Sequence, residues 1–462
     1  MRILETLSWA EIAHALGARV TGVPLVPPRG ASIDTRTLEA GDIFFALKGE
    51  HADGHHHLAA ALEKGASAAV IKERSQAPQD LVCLIVEDPE TALFELARRV
   101  RAQSSATFVA ITGSAGKTTA KEFTAGLLGA KGPVLFTHGN LNNHLGVPLT
   151  LMRLETDHWA AVIECGMSRA GELARLARLV RPTVAAITNV TSAHLEFFDS
   201  MAEIARAKLE IFETLQAGDT AVAPANEPLL CEPALATAGS ARLFGDGDRP
   251  SVRAKGISMS LSGSKFELES DDRRAVVDLS VPGPHAISNF LAAAAIATAL
   301  GLSVETIADR ARFLKPASDR GMVRHLRDDI LLIDDTYNSN PLALLSAVET
   351  LALATDRRRV ACLGDMLELG PSGPRLHRDA GAAIGPRIDL LLGVGALARE
   401  ILKGASSLPE GSKRGFDNSI DLAAEIGSLV RNHDAVLVKG SRGVRMERVV
   451  EALEAAHPGV AG

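Results

Sequence analysis

The sequence is poor in cysteine and in aromatic residues. Its 462 residues include four cysteines, Cys83, Cys165, Cys231 and Cys362, which are widely scattered and form no Cys-x-x-Cys or other metal-ligand spacing. This pattern argues against a disulfide framework and predicts a reduced protein of the cytoplasm. Aromatic residues amount to 4% of the chain and include a single tyrosine, Tyr337.

Excess positive charge and long apolar runs are also missing. The formal net charge is -7, which argues against a general nucleic-acid binder, although a local basic patch could still hold phosphate groups. The first twenty residues mix acidic and apolar side chains at helical spacing, unlike a basic-then-apolar signal peptide. The longest apolar run begins at Leu291, is too short to cross a bilayer and predicts a buried helix. We therefore expect a cytoplasmic protein that has no membrane span and binds no nucleic acid.

Apolar strand-like runs alternate with helical stretches along most of the chain. This alternation predicts mostly parallel sheets with helices on both faces. The N-terminal stretch combines a polar turn, a β-rich run, a Gly/His loop and a helix, which favours a small separate domain. We predict an α/β protein of three domains: a small N-terminal α/β domain (1–86), a central domain with a mostly parallel sheet (87–315) and a C-terminal Rossmann-like domain (316–462).

The stretch TGSAGKTT (112–119) lies between a predicted strand and a predicted helix. In that context successive backbone N–H groups wrap phosphates, and the helix presents its positive N-terminal end. Lys117 would reach the β- and γ-phosphates, and the hydroxyl of Thr118 would bind Mg²⁺. The usual pattern has a further glycine where this chain has Ile111, so the match is to a shortened loop. The strand, the lysine and the paired threonines favour a nucleotide-binding loop over a solvated glycine-rich turn.

Several single polar residues follow apolar runs and allow two interpretations each. Glu164 ends a predicted strand, where it could hold Mg²⁺ or serve as a surface or helix-capping glutamate. His194 follows the next strand, predicted to end at Asn189, and by itself would be a structural or surface histidine. Lys208 lies in a helical pattern and alone indicates a solvated lysine in an ion pair. Asn289, which we place in the first turn of a helix, could cap that helix or contact an adenine edge.

The run LLIDDTYNSNP concentrates polar residues at the end of a buried strand. It delivers Asp334, Asp335, Thr336 and Tyr337, with two asparagines, into a loop closed by Pro341. Such polar density at the carboxyl end of a strand is typical of a functional site rather than of a folding requirement.

Two further clusters are open to plain structural interpretations. The run THGNLNNHLGVP carries Asn140, Asn142 and Asn143, and asparagine and glycine suit ordinary turns. A second cluster consists of histidines, namely His51, His55, His56 and His57. Three consecutive histidines cannot all face one ion from a regular element, and no cysteine lies nearby, so loop or substrate-edge histidines are favoured over a zinc site.

Six motifs occur in a fixed order along the whole chain: IDTR, GDIFFALKGE, GNLNNHLGVPLTL, DDTYNSNP, LGDMLELG and KGSR. In combination they resemble the Mur ligases, the ATP-dependent amide-bond enzymes of peptidoglycan synthesis and hence of cell shape and cell division. The motif DDTYNSNP is most similar to that of members that add D-alanyl-D-alanine to UDP-N-acetylmuramoyl-tripeptide. The resemblance implies that ATP phosphorylates the tripeptide carboxylate and that the dipeptide amine attacks the acyl phosphate. It also implies an N-terminal domain that binds the UDP part of the substrate. The sequence leaves the oligomeric state open, and a monomer is our default expectation.

The resemblance implies ATP and two Mg²⁺ ions as cofactors and assigns a role to each site residue. The predicted nucleotide contacts are Gly113, Ser114, Ala115, Gly116, Lys117, Thr118, Thr119, Asn289, Arg320, Asp335 and Asn338. The predicted metal ligands are Thr118, Glu164, His194 and a carbamylated Lys208, and the predicted catalytic residues are Lys117, His194 and Lys208. The predicted substrate contacts are Asp34, Thr35 and Arg36 for uridine diphosphate, Asn140 and Asn143 for the muramoyl-peptide arm, and Lys439, Ser441 and Arg442 for the peptide end or the incoming dipeptide.

The chain departs from the family pattern at several positions. Leu209 follows Lys208 where the family usually has glycine, which puts the local packing of that lysine in question. Ala115 and Ala286 each replace a usual asparagine, and ECGMSRAG replaces the common EMGA form. None of these changes deletes a predicted phosphate or metal ligand.

Three other functions share parts of this pattern. A ligase that adds the diamino acid of the peptide would carry a Tyr-Ala-His-type sequence after the aspartate, and DDTYNSNP differs from it. Folate polyglutamylation shares the ATPase core but lacks an N-terminal domain of this length. A nucleotide switch or motor needs moving switch segments or partner surfaces, for which the sequence has no sign.

Overall fold

The chain consists of α-helices and β-strands in a computed structural model that describes residues 1–49, 52–74, 77–191, 198, 200–316 and 320–459. The N-terminal stretch contains α1 (Trp9–Leu16), β1 (Arg19–Thr21), β2 (Gly30–Ser32), β3 (Asp42–Phe45), α2 (Leu58–Glu63), β4 (Ala68–Ile71) and β5 (Cys83–Ile85). The middle stretch opens with α3 (Pro89–Gln103), β6 (Thr107–Thr112), α4 (Lys117–Leu128), β7 (Val134–Phe136), α5 (Gly146–Leu151), β8 (Ala160–Glu164), α6 (Glu172–Val180) and β9 (Val184–Ile187).

The remaining elements include two runs of consecutive strands, at 240–279 and at 322–335. The middle stretch goes on with α7 (Met201–Leu209), β10 (Thr220–Pro224), α8 (Pro228–Leu235), β11 (Ser240–Phe244), β12 (Val252–Ser260), β13 (Gly263–Ser270), β14 (Arg273–Leu279), α9 (Pro284–Ala299) and α10 (Val304–Ala311). The C-terminal stretch contains β15 (Met322–Leu326), β16 (Ile330–Asp335), α11 (Pro341–Leu351), β17 (Arg358–Gly364), α12 (Gly373–Ile384), β18 (Leu390–Val394), α13 (Ala398–Gly404), β19 (Lys413–Phe416), α14 (Ser419–Leu429), β20 (Asp434–Lys439) and α15 (Glu447–Ala456). No described helix is both long enough and apolar enough to cross a membrane.

The chain folds into two compact units. The first unit comprises Met1–Thr112, Leu128–Ala186 and Glu210–Thr220. The second unit comprises Gly113–Leu127, Ile187–Leu209 and Ala221–Gly462. The predicted phosphate loop therefore belongs to the second unit, and the predicted UDP contacts belong to the first.

The first unit contains an N-terminal sheet in which the strands run in the order β1-β5-β4-β3-β2. Strands β2 to β5 are parallel, and β1 is antiparallel at one edge. Leu58 and Ala61 of α2 pack against Phe44 and Ala69 of the sheet. The same unit also carries strands in the order β9-β6-β8-β7, with β6, β7 and β8 paired in parallel. Strands β8 and β9 are buried throughout, as expected for parallel strands covered on both faces.

The second unit contains strands β11 to β14, which the sequence did not lead us to expect. Strands β10 to β14 follow one another in space, and β12, β13 and β14 form an antiparallel meander. The long helix α9 is buried along most of its length, which confirms the buried helix predicted from the apolar run at Leu291. Phe290 of α9 meets Phe266 of β13 edge to face, with ring centroids 5.6 Å apart.

The C-terminal sheet of the second unit is doubly wound, in the order β15-β16-β20-β17-β18-β19. Strands β16 to β20 are parallel and β15 is an antiparallel edge. Successive strand residues point to opposite faces and enter two separate cores. The core shared with α11, α12 and α13 takes Leu331, Ile333, Ala361, Leu363, Ala435 and Leu437. The core shared with α14 and α15 takes Ile330, Leu332, Val360, Cys362, Val436 and Val438. The prediction of an α/β protein with mostly parallel sheets and a Rossmann-like C-terminal domain is thus confirmed.

Candidate functional site

The predicted phosphate loop has the backbone geometry that glycine permits. Gly113 and Gly116 have φ values of +153° and +77°, and α4 begins at the next residue, Lys117. A Cβ atom on Gly113 would lie 1.9 Å from Thr188 Oγ1, and one on Gly116 would lie 2.1 Å from Asn289 Oδ1. Both glycines are therefore required by conformation and by close approach.

The third glycine of the longer pattern is not needed in this fold. Ile111 is the fifth residue of β6, where it is fully buried and pairs in register with Glu164 of β8. An isoleucine suits a buried strand position better than glycine does. The shortened loop begins only after the strand has ended.

Thr188 and Asn189, which directly follow β9, hydrogen-bond to the backbone of the phosphate loop. The amide of Asn189 accepts from the Ala115 N–H at 2.9 Å and donates to the Ala115 carbonyl at 3.0 Å. Thr188 Oγ1 donates to the same carbonyl at 2.6 Å, and the Ser114 N–H donates to the Asn189 carbonyl. These contacts use the backbone of Ala115, so the missing asparagine side chain does not disturb them. Sequence reasoning did not identify Thr188 and Asn189 as loop supports, and it extended β9 two residues beyond Ile187.

Two lysines lie near each other beside this loop. Lys117 Nζ donates to the Gly113 carbonyl at 2.8 Å. Lys208 on α7 is only 1% exposed, so it is not the solvated lysine that its sequence context alone suggests. Burial, and secondarily the positive charge of Lys117, hold the pKa of the Lys208 amine well below its ordinary value. Among the described residues no carboxylate pairs with Lys208. His194, the third predicted catalytic residue, lies outside the described residues.

The first turns of α9 bring two polar residues to different neighbours. Gly283 is the N-cap, so Asn289 lies in the second turn rather than the first and does not cap the helix. Its amide oxygen instead lies against Gly116 of the phosphate loop. One turn earlier, burial lowers the pKa of His285, while Asp335 raises that pKa and Lys439 lowers it further. Sequence reasoning missed His285, because a histidine in a helix start carries no distinguishing pattern.

Strand ends of the C-terminal sheet meet at a buried ion pair. Lys439 ends β20 directly opposite Asp335 of β16, and its Nζ lies 2.6 Å from Asp335 Oδ2. The same Nζ donates to the Asn338 carbonyl at 2.8 Å. Ser441 Oγ accepts from the Leu367 N–H at 2.9 Å and donates to the Ser339 carbonyl. Lys439 and Ser441 therefore hold the DDTYNSNP loop in place.

Two arginines lie against the single tyrosine of the chain. The guanidinium carbon of Arg320 is 4.0 Å from the centre of the Tyr337 ring. That of Arg442 is 5.9 Å from the same ring centre. Arg320 is half-buried and Arg442 is exposed, and in the described part of the chain neither has a carboxylate partner. Both guanidinium groups are thus available to an anionic ligand.

The first unit carries the remaining predicted ligand, Glu164, at the end of β8. It is buried, and its Oε1 accepts from the side-chain amide of Asn142 at 2.8 Å. The backbone N–H of Glu164 donates to Thr137 Oγ1, so the residue is anchored at both ends. Burial and the neighbouring Glu164 raise the pKa of the Cys165 thiol. Asn142 was noticed in the sequence but assigned no role, because an Asn/Gly-rich run also fits a plain turn.

The neighbouring asparagines of that run differ from each other. Asn143 Oδ1 accepts from the N–H groups of Leu145 and Gly146 and so supports the start of α5. Asn140 is exposed, and its carbonyl accepts from the Asn142 N–H. A structural role thus accounts for Asn143, whereas the side chain of Asn140 faces solvent.

The predicted UDP contacts lie in the turn after the edge strand β2. Arg36 forms a bidentate pair with Asp34, through Nε and Nη2, and Thr35 lies between them. Hydrogen bonds from the Arg36 side chain and then its backbone hold the pKa of Asp34 below its ordinary value. Arg36 is otherwise exposed, so part of its guanidinium can accept another anion.

The histidine cluster of the first unit has a different arrangement. His55 Nδ1 lies 2.8 Å from Asp53 Oδ1, and the Lys72 N–H donates to His55 Nε2 at 3.2 Å. Both ring nitrogens are therefore in use. Across the described ranges, no three His, Cys, Asp or Glu side chains are close enough together to hold a metal ion, and His51 falls in a gap between those ranges.

Comparisons with known proteins agree with this geometry. Family models match three consecutive segments: the catalytic domain of the Mur ligase family at 29–110, the Mur ligase middle domain at 111–297, and the Mur ligase, glutamate ligase domain at 320–442. The UDP-N-acetylmuramoyl-tripeptide–D-alanyl-D-alanine ligase of Escherichia coli is 38% identical over 91% of this chain and 92% of its own length.

Solved structures show the same relationship. The crystal structure of MurF from Acinetobacter baumannii superimposes with a TM-score of 0.88 at 32% identity, covering 96% of this chain and 98% of that one. MurF from Thermotoga maritima, solved in complex with ADP, gives a TM-score of 0.81 at 29% identity and covers 93% of this chain and 97% of its own. The chain belongs to the Mur ligase family.

Proposed function

We propose that this protein is an ATP-dependent ligase that joins D-alanyl-D-alanine to UDP-N-acetylmuramoyl-tripeptide, releasing ADP and phosphate, in peptidoglycan synthesis. One observation supports this proposal most directly: the phosphate loop is closed by Lys117, and the buried amine of Lys208 lies beside it. Relatives that bear this activity in their names match nearly the whole chain, and one related structure contains ADP. The proposal includes action in the cytoplasm as a monomer.

The reaction consists of two steps, formation of an acyl phosphate and formation of the amide. An oxygen of the tripeptide's terminal carboxylate attacks the γ-phosphorus, the bond to the β-phosphate oxygen breaks, and ADP leaves. The amine of D-alanyl-D-alanine then attacks the acyl carbon, the carbon–oxygen bond to phosphate breaks, and the nitrogen loses a proton. Both steps gather negative charge around the γ-phosphate, where the ammonium of Lys117 and the backbone N–H groups of the loop stabilise it.

The oxygen ligands of the site suit Mg²⁺, which binds through carboxylates, hydroxyls and phosphate oxygens. Thr118 supplies a hydroxyl in the first turn of α4. Glu164 supplies a carboxylate, and its Oε1 accepts from the side-chain amide of Asn142. When bound, the ion neutralises phosphate charge and orients the nucleotide. A second ion and the participation of His194 belong to the proposal as expectations carried over from the family resemblance.

Lys208 enters the proposal as a carbamylated lysine. An uncharged amine can add CO₂, forming a nitrogen–carbon bond and losing one proton, and the product is an anionic carbamate. Burial favours the uncharged amine and so prepares Lys208 for this reaction. The change converts a group that repels metal cations into an oxygen ligand, and the adjacent Lys117 would then face an opposite charge.

The remaining residues divide between binding and positioning. Asn289, Arg320, Asp335 and Asn338 are proposed to contact the nucleotide, and Gly113, Ser114, Ala115, Gly116 and Thr119 to form the phosphate loop. Asp34, Thr35 and Arg36 are proposed to bind uridine diphosphate, and Asn140 and Asn143 to lie along the muramoyl-peptide arm. Arg442 is the best candidate for the dipeptide carboxylate, because its guanidinium is exposed and unpaired in the described part of the chain. Lys439 and Ser441 are proposed to act by holding the loop that carries Asp335.

A coupled assay tests the function. Phosphate release is measured with ATP, UDP-N-acetylmuramoyl-tripeptide and D-alanyl-D-alanine, each omitted in turn, and the product is identified by mass spectrometry. We expect phosphate release to require both the UDP-linked tripeptide and the dipeptide. The product should be heavier than the UDP-linked tripeptide by the mass of D-alanyl-D-alanine less one water. Lys117→Met should abolish the signal, whereas Lys265→Met, on the exposed β13–β14 surface, should not. Turnover without small acceptors would indicate a nucleotide switch, and turnover with UDP-muramoyl-dipeptide and a diamino acid would indicate the neighbouring ligase.

A further inference from the structure

We infer that Tyr337 is a positioning residue whose ring holds Arg320 and Arg442 together, and so links the nucleotide side of the reaction to the dipeptide side. The inference rests on the proposed function, because that function gives the two arginines their anionic ligands. No other described side chain lies within cation–π distance of both guanidinium groups.

The loop that carries the Tyr337 ring is held by a frame of hydrogen bonds. Tyr337 lies in the loop between β16 and α11, and Lys439 ties that loop to β20 through Asp335 and the Asn338 carbonyl. At its far end Asn340 caps α11 by accepting from the Ala343 N–H. The backbone on both sides of Tyr337 is therefore fixed by hydrogen bonds to β20 and to α11.

The frame also fixes the backbone next to Arg442. Ser441, its predecessor, is buried and bonds both to Ser339 of the tyrosine loop and to Leu367 after β17. Arg442 then opens a short 3-10 turn that ends at Val444. The ring of Tyr337 and the backbone of Arg442 thus belong to one connected group of strand ends.

An aromatic ring serves the two arginines better than a carboxylate would. A ring attracts a guanidinium through its quadrupole and leaves the full positive charge in place. A carboxylate would neutralise that charge and compete with a phosphate or a peptide carboxylate for the same N–H donors. In the described part of the chain neither arginine has a carboxylate partner, so both can be oriented by Tyr337 without losing affinity for an anion.

Replacement of the ring should affect both substrates at once. In Tyr337→Leu the two guanidinium groups lose their common support, and the KM for ATP and the KM for D-alanyl-D-alanine should each rise about fivefold. Tyr337→Phe keeps the ring, and the tyrosine hydroxyl makes no hydrogen bond to any described residue, so this variant should behave like the wild type. The KM for the UDP-linked substrate should stay the same in both variants.

Phe416→Leu provides a matched control. Its ring also carries a guanidinium, that of Arg414 at 4.8 Å, in the same sheet but away from the loops that hold Tyr337. Phe416→Leu should alter stability without changing either KM. Equal kinetic effects of Tyr337→Leu and Phe416→Leu would show general destabilisation and overturn the inference. Unchanged KM values in Tyr337→Leu, or equal losses in Tyr337→Phe and Tyr337→Leu, would also overturn it.

A spectroscopic measurement tests the ring contact without any turnover. Because the chain has one tyrosine, protein labelled with ¹³C-tyrosine gives one set of ring signals in NMR. Arg320→Ala and Arg442→Ala should each shift those signals, and Arg414→Ala should leave them unchanged. Absence of shifts in the first two variants would refute the contact of the Tyr337 ring with the two arginines, even if the enzyme is a ligase. If the two variants show the shifts but the wild type forms no amide product, the proposed function is refuted instead.

Discussion

Three of the buried charged side chains belong to residues that are proposed to take part in the chemistry. Glu164, Lys208 and Lys439 are all nearly inaccessible, and burying a charge is costly unless a partner compensates it. Lys439 is compensated by Asp335 and Glu164 is oriented by Asn142. Among the described residues no carboxylate compensates Lys208, and the positive charge of Lys117 disfavours an ammonium there further. The burial of this amine supports the role proposed for Lys208 in the reaction.

Lys208→Ala tests that conclusion. Loss of the proposed carbamate should lower kcat about a hundredfold or more, the scale seen when a preorganised charged group is removed from an active site. Short-chain carboxylates such as acetate should restore part of the activity by occupying the vacated ligand position. The exposed Lys265→Ala variant serves as the control and should keep full activity with no response to acetate. Full activity of Lys208→Ala would contradict a role in catalysis and indicate that Lys208 is a structural residue.

Gly116→Ala separates backbone strain from contact with Asn289. A methyl group at Gly116 would meet the Asn289 amide at 2.1 Å in addition to occupying a left-handed conformation. Gly245 has a similar φ of +87° but no atom within 4 Å of an added Cβ, so Gly245→Ala measures the strain alone. Strain should cost about 1 kcal/mol in both variants, measured by chemical denaturation. Only Gly116→Ala should raise the KM for ATP, and equal KM values in the two variants would contradict a role for Asn289 at the loop.

At the scale of the element, the sequence predicts parallel strands and their ends well. The strands β6, β8 and β16 lie where apolar runs predict them, because strands buried on both faces are apolar throughout. The antiparallel meander β12–β14 was missed, since its exposed face interrupts the apolar pattern with charged residues. Partners such as Asn142, Asn189 and His285 were also beyond sequence reasoning, because their roles arise from tertiary contacts between distant segments. The domain divisions near Glu87 and Pro316 stay predictions.

The burial of His377 on α12 should make the free energy of unfolding depend on pH. It is fully buried, with Nδ1 donating to the Gly373 carbonyl at 2.7 Å and Nε2 accepting from the Met366 N–H at 2.8 Å. Burial lowers the pKa of His377 below its ordinary 6.5, although the bond to Gly373 and the carboxylates of Asp365 and Glu400 raise it in part. Below about pH 6.5 the unfolded chain therefore binds a proton that the folded chain rejects.

The free energy of unfolding should accordingly decrease as the pH falls below 6.5, by at most about 1.4 kcal/mol per pH unit from this group. Above 6.5 the contribution is fully present. His377→Gln should remove this part of the pH dependence, whereas His14→Gln, at an exposed position on α1, should leave it intact. Urea denaturation at pH 7.5 and pH 5.5 measures the difference. An identical pH dependence in the wild type and in His377→Gln would contradict the assignment.

At the scale of the whole molecule, each compact unit carries the proposed contacts for a different ligand. The first unit contains the turn with Asp34 and Arg36, proposed for uridine diphosphate, and the second contains the loop around Lys117, proposed for the adenine nucleotide. The buried cysteines are divided in the same way: Cys83 and Cys165 belong to the first unit, and Cys231 and Cys362 to the second. They offer an internal probe of each unit without any engineered label.

Thiol labelling of Cys83 and Cys362 should report which unit each ligand stabilises. Both thiols are fully buried, and burial raises the pKa of Cys83 and raises that of Cys362 to about 12, so labelling requires opening of the surrounding sheet. A ligand at about a hundred times its Kd should slow opening of the unit that binds it by about a hundredfold. UDP should therefore protect Cys83, and ADP should protect Cys362, as measured by mass spectrometry of labelled peptides. In denaturant all four cysteines should react at similar rates, and equal protection of Cys83 and Cys362 by both ligands would show that the two units open as one.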